Sequence, residues 1–67
     1  MKEFAERLKE LRINEGLTQR ELAEKLNIRQ QSYARYERNT GEPSLETFVL
    51  ISRIFHVSLE YLVGLED

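Results

Sequence analysis

The chain has 67 residues, a net charge of −2, one His, one Pro, three Gly and neither Cys nor Trp. A chain this short buries only about 60% of the surface its unfolded form exposes, so its core is thin. Without Cys there is no disulfide framework, thiol catalysis or Cys-based metal site, which fits a reducing compartment, and a single His cannot hold a zinc ion alone. No uncharged run exceeds six residues, against about 20 for a membrane span, and Met1 opens no signal-peptide pattern.

The charges are unevenly spread. Residues 1–28 carry six of each sign, residues 29–42 sum to +1 and residues 43–67 to −3. Acid collects toward the C-terminal end, which leaves a neutral-to-basic working surface elsewhere.

Five helical segments and no strand are expected: an all-α, five-helix bundle in one domain over 1–67. Phe4, Leu8 and Leu11 recur at helical spacing, predicting an amphipathic helix over about 2–14. Gly16 supplies a left-handed end. Thr18 and Glu21 have the spacing of a capping box, with Leu17 and Leu22 as its hydrophobic staple, for a second helix over 18–26. Asn27 tolerates a left-handed turn. A third helix follows over 30–38 and stops at Asn39-Thr40-Gly41. Ser44 caps a fourth over 44–55, and Ser58 a fifth over 58–63 with Val57 and Leu62 as staple. The stripe Phe4, Leu8, Leu11, Leu22, Leu26, Ile28, Tyr36, Leu45, Phe48, Ile51, Phe55, Leu59 and Leu62 is expected to form the core.

The turn between helices two and three, Asn27-Ile28-Arg29, is too short for a hairpin and demands a steep crossing. Ala23 is small where that crossing brings backbones close, though Ala is also simply a good helix former. On the third helix, Gln30, Gln31, Ala34, Arg35 and Arg38 share one face, and Tyr33, Tyr36 and Glu37 the other. The first face has no carboxylate, although twelve of the 67 residues are acidic. Gln pairs bidentately with adenine and Arg with guanine in the major groove. Taken alone, a plain solvated polar face is the better explanation of these residues.

The run Thr18 to Leu26 with Ile28, then Ser32, Arg35-Tyr36-Glu37-Arg38 and Glu42-Pro43-Ser44-Leu45-Glu46, resembles the Cro and phage-repressor type (XRE-like) helix-turn-helix family of regulators. The likeness runs without gaps from about Arg7 to Gly64. It implies a DNA-binding transcriptional regulator, a repressor by family habit, that lays helix three in the major groove as a dimer on a palindromic operator. It implies a prokaryotic or phage protein working in the cytoplasm on the nucleoid. Gln30, Gln31 and Arg35 are the implied base contacts; Gln19, Arg29, Ser32, Arg38 and Thr40 the phosphate contacts. No cofactor, metal or catalytic role is implied. Three positions depart from the family pattern. Arg29 stands where Ser or Thr usually caps helix three, so that start is poorly capped or Arg29 itself meets phosphate. Tyr33 replaces a buried aliphatic, and its hydroxyl must find a partner or solvent. Asn39 replaces a common Gly.

Further expectations concern packing. Arg12 flanks the buried stripe of helix one and Glu37 lies on the inward face of helix three, so the two are expected to bridge the helices, as the resemblance also implies. Leu50, Ile54 and Tyr61 fall on the outer side of helices four and five, where an apolar patch suits a dimer contact. His56 follows helix four, where an imidazolium complements the helix C-terminus; Ser52 and Ser58 lie near it, but no nucleophile pattern supports catalysis. The rival to DNA binding is an antitoxin-like module that grips a protein partner.

Overall fold

The computed structural model describes residues 1–67 and contains five helices and no strand: α1 (Lys2–Asn14), α2 (Gln19–Lys25), α3 (Gln30–Glu37), α4 (Leu45–Phe55) and α5 (Leu59–Leu62). Three of the helix starts are fixed by side chains. The Thr18 hydroxyl accepts from the Glu21 amide at 3.0 Å and the Glu21 carboxylate from the Thr18 amide at 2.9 Å, completing the capping box. Ser44 and Ser58 accept from the amides of Thr47 and Tyr61 at 3.2 and 2.9 Å.

All five helices end alike. In each, an amide beyond the end bonds a carbonyl five residues back: Leu17 to Arg12, Ile28 to Ala23, Thr40 to Arg35, Val57 to Ser52 and Leu65 to Glu60, at 2.8–3.1 Å. This closure places one residue of the turn in the left-handed region. Gly16 and Gly64 do so at no steric cost, while Asn27 (φ 57°), Asn39 (φ 60°) and His56 (φ 55°) carry a Cβ there. The two Asn were expected at such positions. His56 was expected only as a charge at the helix end.

Phe4 and Leu8 of α1, Leu22 and Ala23 of α2 with Leu26 just beyond it, Tyr33 and Tyr36 of α3, Ile51 and Phe55 of α4 and Leu62 of α5 form the buried core. Aromatic rings link its layers: Phe4 lies 4.8 Å from Phe48 and 6.4 Å from Tyr36, and Tyr36 meets Tyr33 edge-on at 6.0 Å. Ala23 is 2% exposed in the core, and its carbonyl accepts from the Ile28 amide at 3.0 Å in the tight α2–α3 turn. Leu11, Ile28, Phe48 and Leu59 pack at the margin of this core.

Leu45 corrects the expected stripe, being 72% exposed. Helical spacing gives the direction of a side chain but not the reach of its neighbours, and Leu45 is the first residue of α4, at the open end. There it lines a shallow apolar depression of about 420 Å³ with Met1, Phe48, Leu59, Val63 and Leu65. Tyr33 corrects the stripe in the other direction: it was left out and is fully buried.

Arg7 ties α1 to the C-terminal end. Its guanidinium stacks 4.3 Å from the centre of the Tyr61 ring and donates to the carbonyls of Tyr61 and Glu66. No helix is long and apolar enough to cross a membrane.

Candidate nucleic-acid interface

α2 and α3 present the site. Asn27 bends the chain, and α3 begins at Arg29, which sits in the N-cap position without a side-chain cap bond. The Arg29 side chain is exposed and has no structural task at that helix start.

Gln30, Gln31, Ala34 and Arg38 line one shallow depression of about 300 Å³ along the outer face of α3. On the flank of the same helix, Ser32, Arg35, Tyr36, Gly41 and Glu42 line a second of about 220 Å³. Five of the expected DNA-contacting residues are thus set along one exposed helix, with Arg35 and Ser32 turned toward the loop after α3. Thr40 joins them through that loop, where its amide bonds the Arg35 carbonyl at 3.0 Å and its carbonyl accepts from Arg35 Nη2 at 3.2 Å.

The inward side of α3 is held by a polar cluster centred on Glu37. Arg12 donates from Nε to Glu37 Oε2 at 2.7 Å and from Nη2 to Oε1 at 3.1 Å. This is the bidentate geometry that favours Arg over Lys. The pair is buried, with side chains 13% and 4% exposed. Gln19 Nε2 donates to Glu37 Oε1 at 3.1 Å, and the Tyr33 hydroxyl donates to Oε2. Arg12 Nη1 also bonds the Leu17 carbonyl at 2.9 Å. One carboxylate therefore joins α1, α2 and α3, and no buried side-chain nitrogen or oxygen lacks a partner.

The titration shifts follow from this geometry. Burial pushes the Glu37 carboxyl up, but hydrogen bonds from Arg12, Tyr33 and Gln19 outweigh it and hold the group below the usual carboxylate value. The bond to Glu37 raises Arg12 further, and burial, then the same carboxylate, raises Tyr33 well above an ordinary phenol.

The expected Arg12–Glu37 bridge is present, and Tyr33 has found its partner within it. Gln19 was expected at a phosphate, and its amide also spends one donor inside the fold. Nothing in its sequence position signals that contact, because an uncharged amide shows no preference between the two. The three residues expected at a dimer contact stand in different settings. Leu50 is 38% exposed, Ile54 packs against the core, and Tyr61 is half-buried beneath Arg7. His56 is exposed. Its sequence neighbours Ser52 and Ser58 are both engaged, Ser52 with the Val49 carbonyl at 2.8 Å and Ser58 with Glu66.

Comparison with known proteins agrees with this architecture. The helix-turn-helix family matches residues 8–62. The HTH-type transcriptional regulator ImmR of Bacillus subtilis is 42% identical over 64 residues, covering 96% of this chain and 50% of the relative. The transcriptional repressor RstR of the cryptic phage CTXphi, from Vibrio cholerae, is 30% identical over 61 residues, covering 91% of this chain and 55% of that protein. A transcriptional regulator of known crystal structure from Listeria innocua superposes with a TM-score of 0.89 at 33% identity, over 96% of this chain and 60% of that one. The chain spans about half the length of the curated relatives it matches. Five helices, the tight α2–α3 turn and a match across most of its length lead to one conclusion: the chain belongs to the helix-turn-helix family of transcriptional regulators.

Proposed function

We propose that the chain binds double-stranded DNA sequence-specifically, with α3 in the major groove, as a homodimer on a two-fold operator, and that it represses the promoters it covers in the cytoplasm of a prokaryote. The observation that carries this reading is the outer face of α3. In a chain with more acid than base, that face offers Gln30, Gln31, Ala34 and Arg38 with no carboxylate among them, and Arg35 stands beside them in a depression that Glu42 of the following loop also lines. Amides and guanidiniums satisfy adenine and guanine edges, and Ala34 lets the helix approach closely.

In this reading Gln30, Gln31 and Arg35 set base preference. Gln19, Arg29, Ser32, Arg38 and Thr40 hold phosphates and fix the register. Gln19 keeps its second amide hydrogen for that task while Glu37 holds the first. Of the acidic residues in the last segment, Asp67 pairs with Arg7 of α1 and Glu66 accepts from Ser58, both outside the α2–α3 unit. A dimer places two such helices on half-sites about 10 base pairs apart. Repression is the sign that the RstR resemblance favours.

Selection of bound duplexes from a random pool tests the reading, followed by alanine substitution on the recovered site. Gln31→Ala and Arg35→Ala each cost about 1–3 kcal/mol on that site and relax preference at one or two base pairs. Arg38→Ala weakens all sequences alike and lowers the salt slope by about one. Equal losses on selected and random DNA for all three changes refute base readout by α3. A reporter driven by the recovered site separates repression from activation.

A further inference from the structure

Gly41 is a glycine without a conformational reason to be one. Its φ is not in the left-handed region, where Gly16 and Gly64 lie. The reason is space. A Cβ built on Gly41 would stand 3.3 Å from Arg35 Cβ, 3.6 Å from Arg35 Nε and 4.0 Å from its Cζ. The loop after α3 therefore lies flat against the whole length of the Arg35 side chain. Thr40, one residue earlier, accepts from Arg35 Nη2 at 3.2 Å through its carbonyl, and its amide and hydroxyl bond the Arg35 carbonyl at 3.0 and 3.4 Å.

We infer that Gly41 is a positioning residue for base readout: its missing side chain lets the Thr40–Gly41 backbone hold the Arg35 guanidinium in one orientation. This rests on the assignment of Arg35 to a base edge. A long, flexible side chain loses rotamer freedom when it pairs with a base, and a side chain already held loses less. One Nη2 hydrogen is spent on the loop, which leaves the remaining guanidinium donors of Arg35 for a base. The nearest atom to a new Cβ at residue 41 is Arg35 Cβ, which the α3 backbone fixes. The loop must give way, and it takes the Thr40 carbonyl with it, from a distance already at the long end for such a bond.

The test uses the 67-residue chain and the duplex it selects. Affinity is measured for that duplex, for variants changed at each base pair, and for random-sequence duplex, with wild type, Gly41→Ala, Arg35→Ala and the double variant. Gly41→Ala is expected to lose about ten-fold in discrimination at the base pair that Arg35→Ala identifies. Its affinity for random duplex and its helical circular dichroism stay at the wild-type level, and on the Arg35→Ala background it has no further effect on discrimination. Unchanged discrimination overturns the inference, as does a loss spread over every base pair or one that persists on the Arg35→Ala background. Should Gly41→Ala unfold, the Arg35 Nε–H resonance of the wild type decides: a restrained signal supports the inference and a freely averaged one overturns it. A wild-type chain that selects no sequence overturns the DNA reading and this inference together, before any variant is compared. A wild type that selects, matched in full by Gly41→Ala, overturns the inference alone.

Discussion

The hydroxyl of Tyr33 donates to Glu37 one turn further along α3, to the same oxygen that receives Arg12 Nε. A fully buried phenol is costly without a partner, and this one finds its partner on its own helix. Tyr33→Phe keeps the ring in the core and removes only the donor. It is expected to cost about 1.5 kcal/mol, the value of a hydrogen bond to a charged group, with the helical signal intact. Urea denaturation measures it, and an unchanged midpoint counts against any role for the hydroxyl. Wild type is also expected to lose stability above about pH 10, because native Tyr33 keeps a proton that the unfolded chain releases. Tyr33→Phe removes the Tyr33 part of that loss, while Tyr36, which burial also raises, keeps its own.

The acid side depends on Glu37. Its folded value lies below the ordinary 4.5, so between the two the unfolded chain binds more protons than the native one. Stability from this group is complete above about pH 4.5 and is lost as pH falls through the folded value. Glu37→Gln is expected to be less stable than wild type near neutrality, with the gap closing on acidification. Glu21, also held below its usual value by the Thr18 amide and hydroxyl, titrates the same way in both proteins and cancels from the difference. Denaturation curves from about pH 3 to pH 6 check this, and a gap independent of pH contradicts it.

These readings show where local sequence sufficed. Thr18, Ser44 and Ser58 were legible as caps because their partners lie three residues on. Arg12 and Glu37 were legible because opposite charges on two inward faces have few other arrangements. Gln19 was not, since its contact depends on the rotation of α2 against α3, which no spacing records. Leu45 was misplaced because periodicity says nothing of where a covering helix stops. Gly41 was read as a helix stop, whereas its importance lies in an approach between a loop and a side chain.

Two exposed leucines on α4 compete for the role of dimer contact. Leu50, in the middle of the helix, is the expected one, at 38% exposure, and Leu45 lies in the apolar depression at the N-terminal end of the helix. Sedimentation at rising concentration is expected to show reversible dimerisation, abolished by Leu50→Glu and retained in Leu45→Glu, with both variants folded. The opposite pattern moves the contact to the depression that Leu45 lines.

His56 closes α4 in the left-handed region with a full side chain. His56→Gly relieves that conformation but gives the unfolded chain more freedom, and the balance is a gain of about 0.5–1 kcal/mol. A rise in thermal midpoint supports this. A fall means that the imidazole contributes more at this corner than the strain costs.

The inward side of α3 is bound at Tyr33 and Glu37 to two other helices, while the side chains of Gln30, Gln31 and Arg38 on the outward side face solvent and make no hydrogen bond within the fold. The two sides of one helix are consequently free to diverge at different speeds. Substitutions at 30, 31 and 38 can pass through many intermediates without endangering the fold, so lineages can acquire new binding sites one residue at a time. Residues 12, 19, 33 and 37 have less latitude, because all four meet in one cluster and a change at any of them alters the partners of the others. Arg35 stands between the two regimes, and a new residue there must come to terms with the loop at 40 and 41 as well as with its ligand.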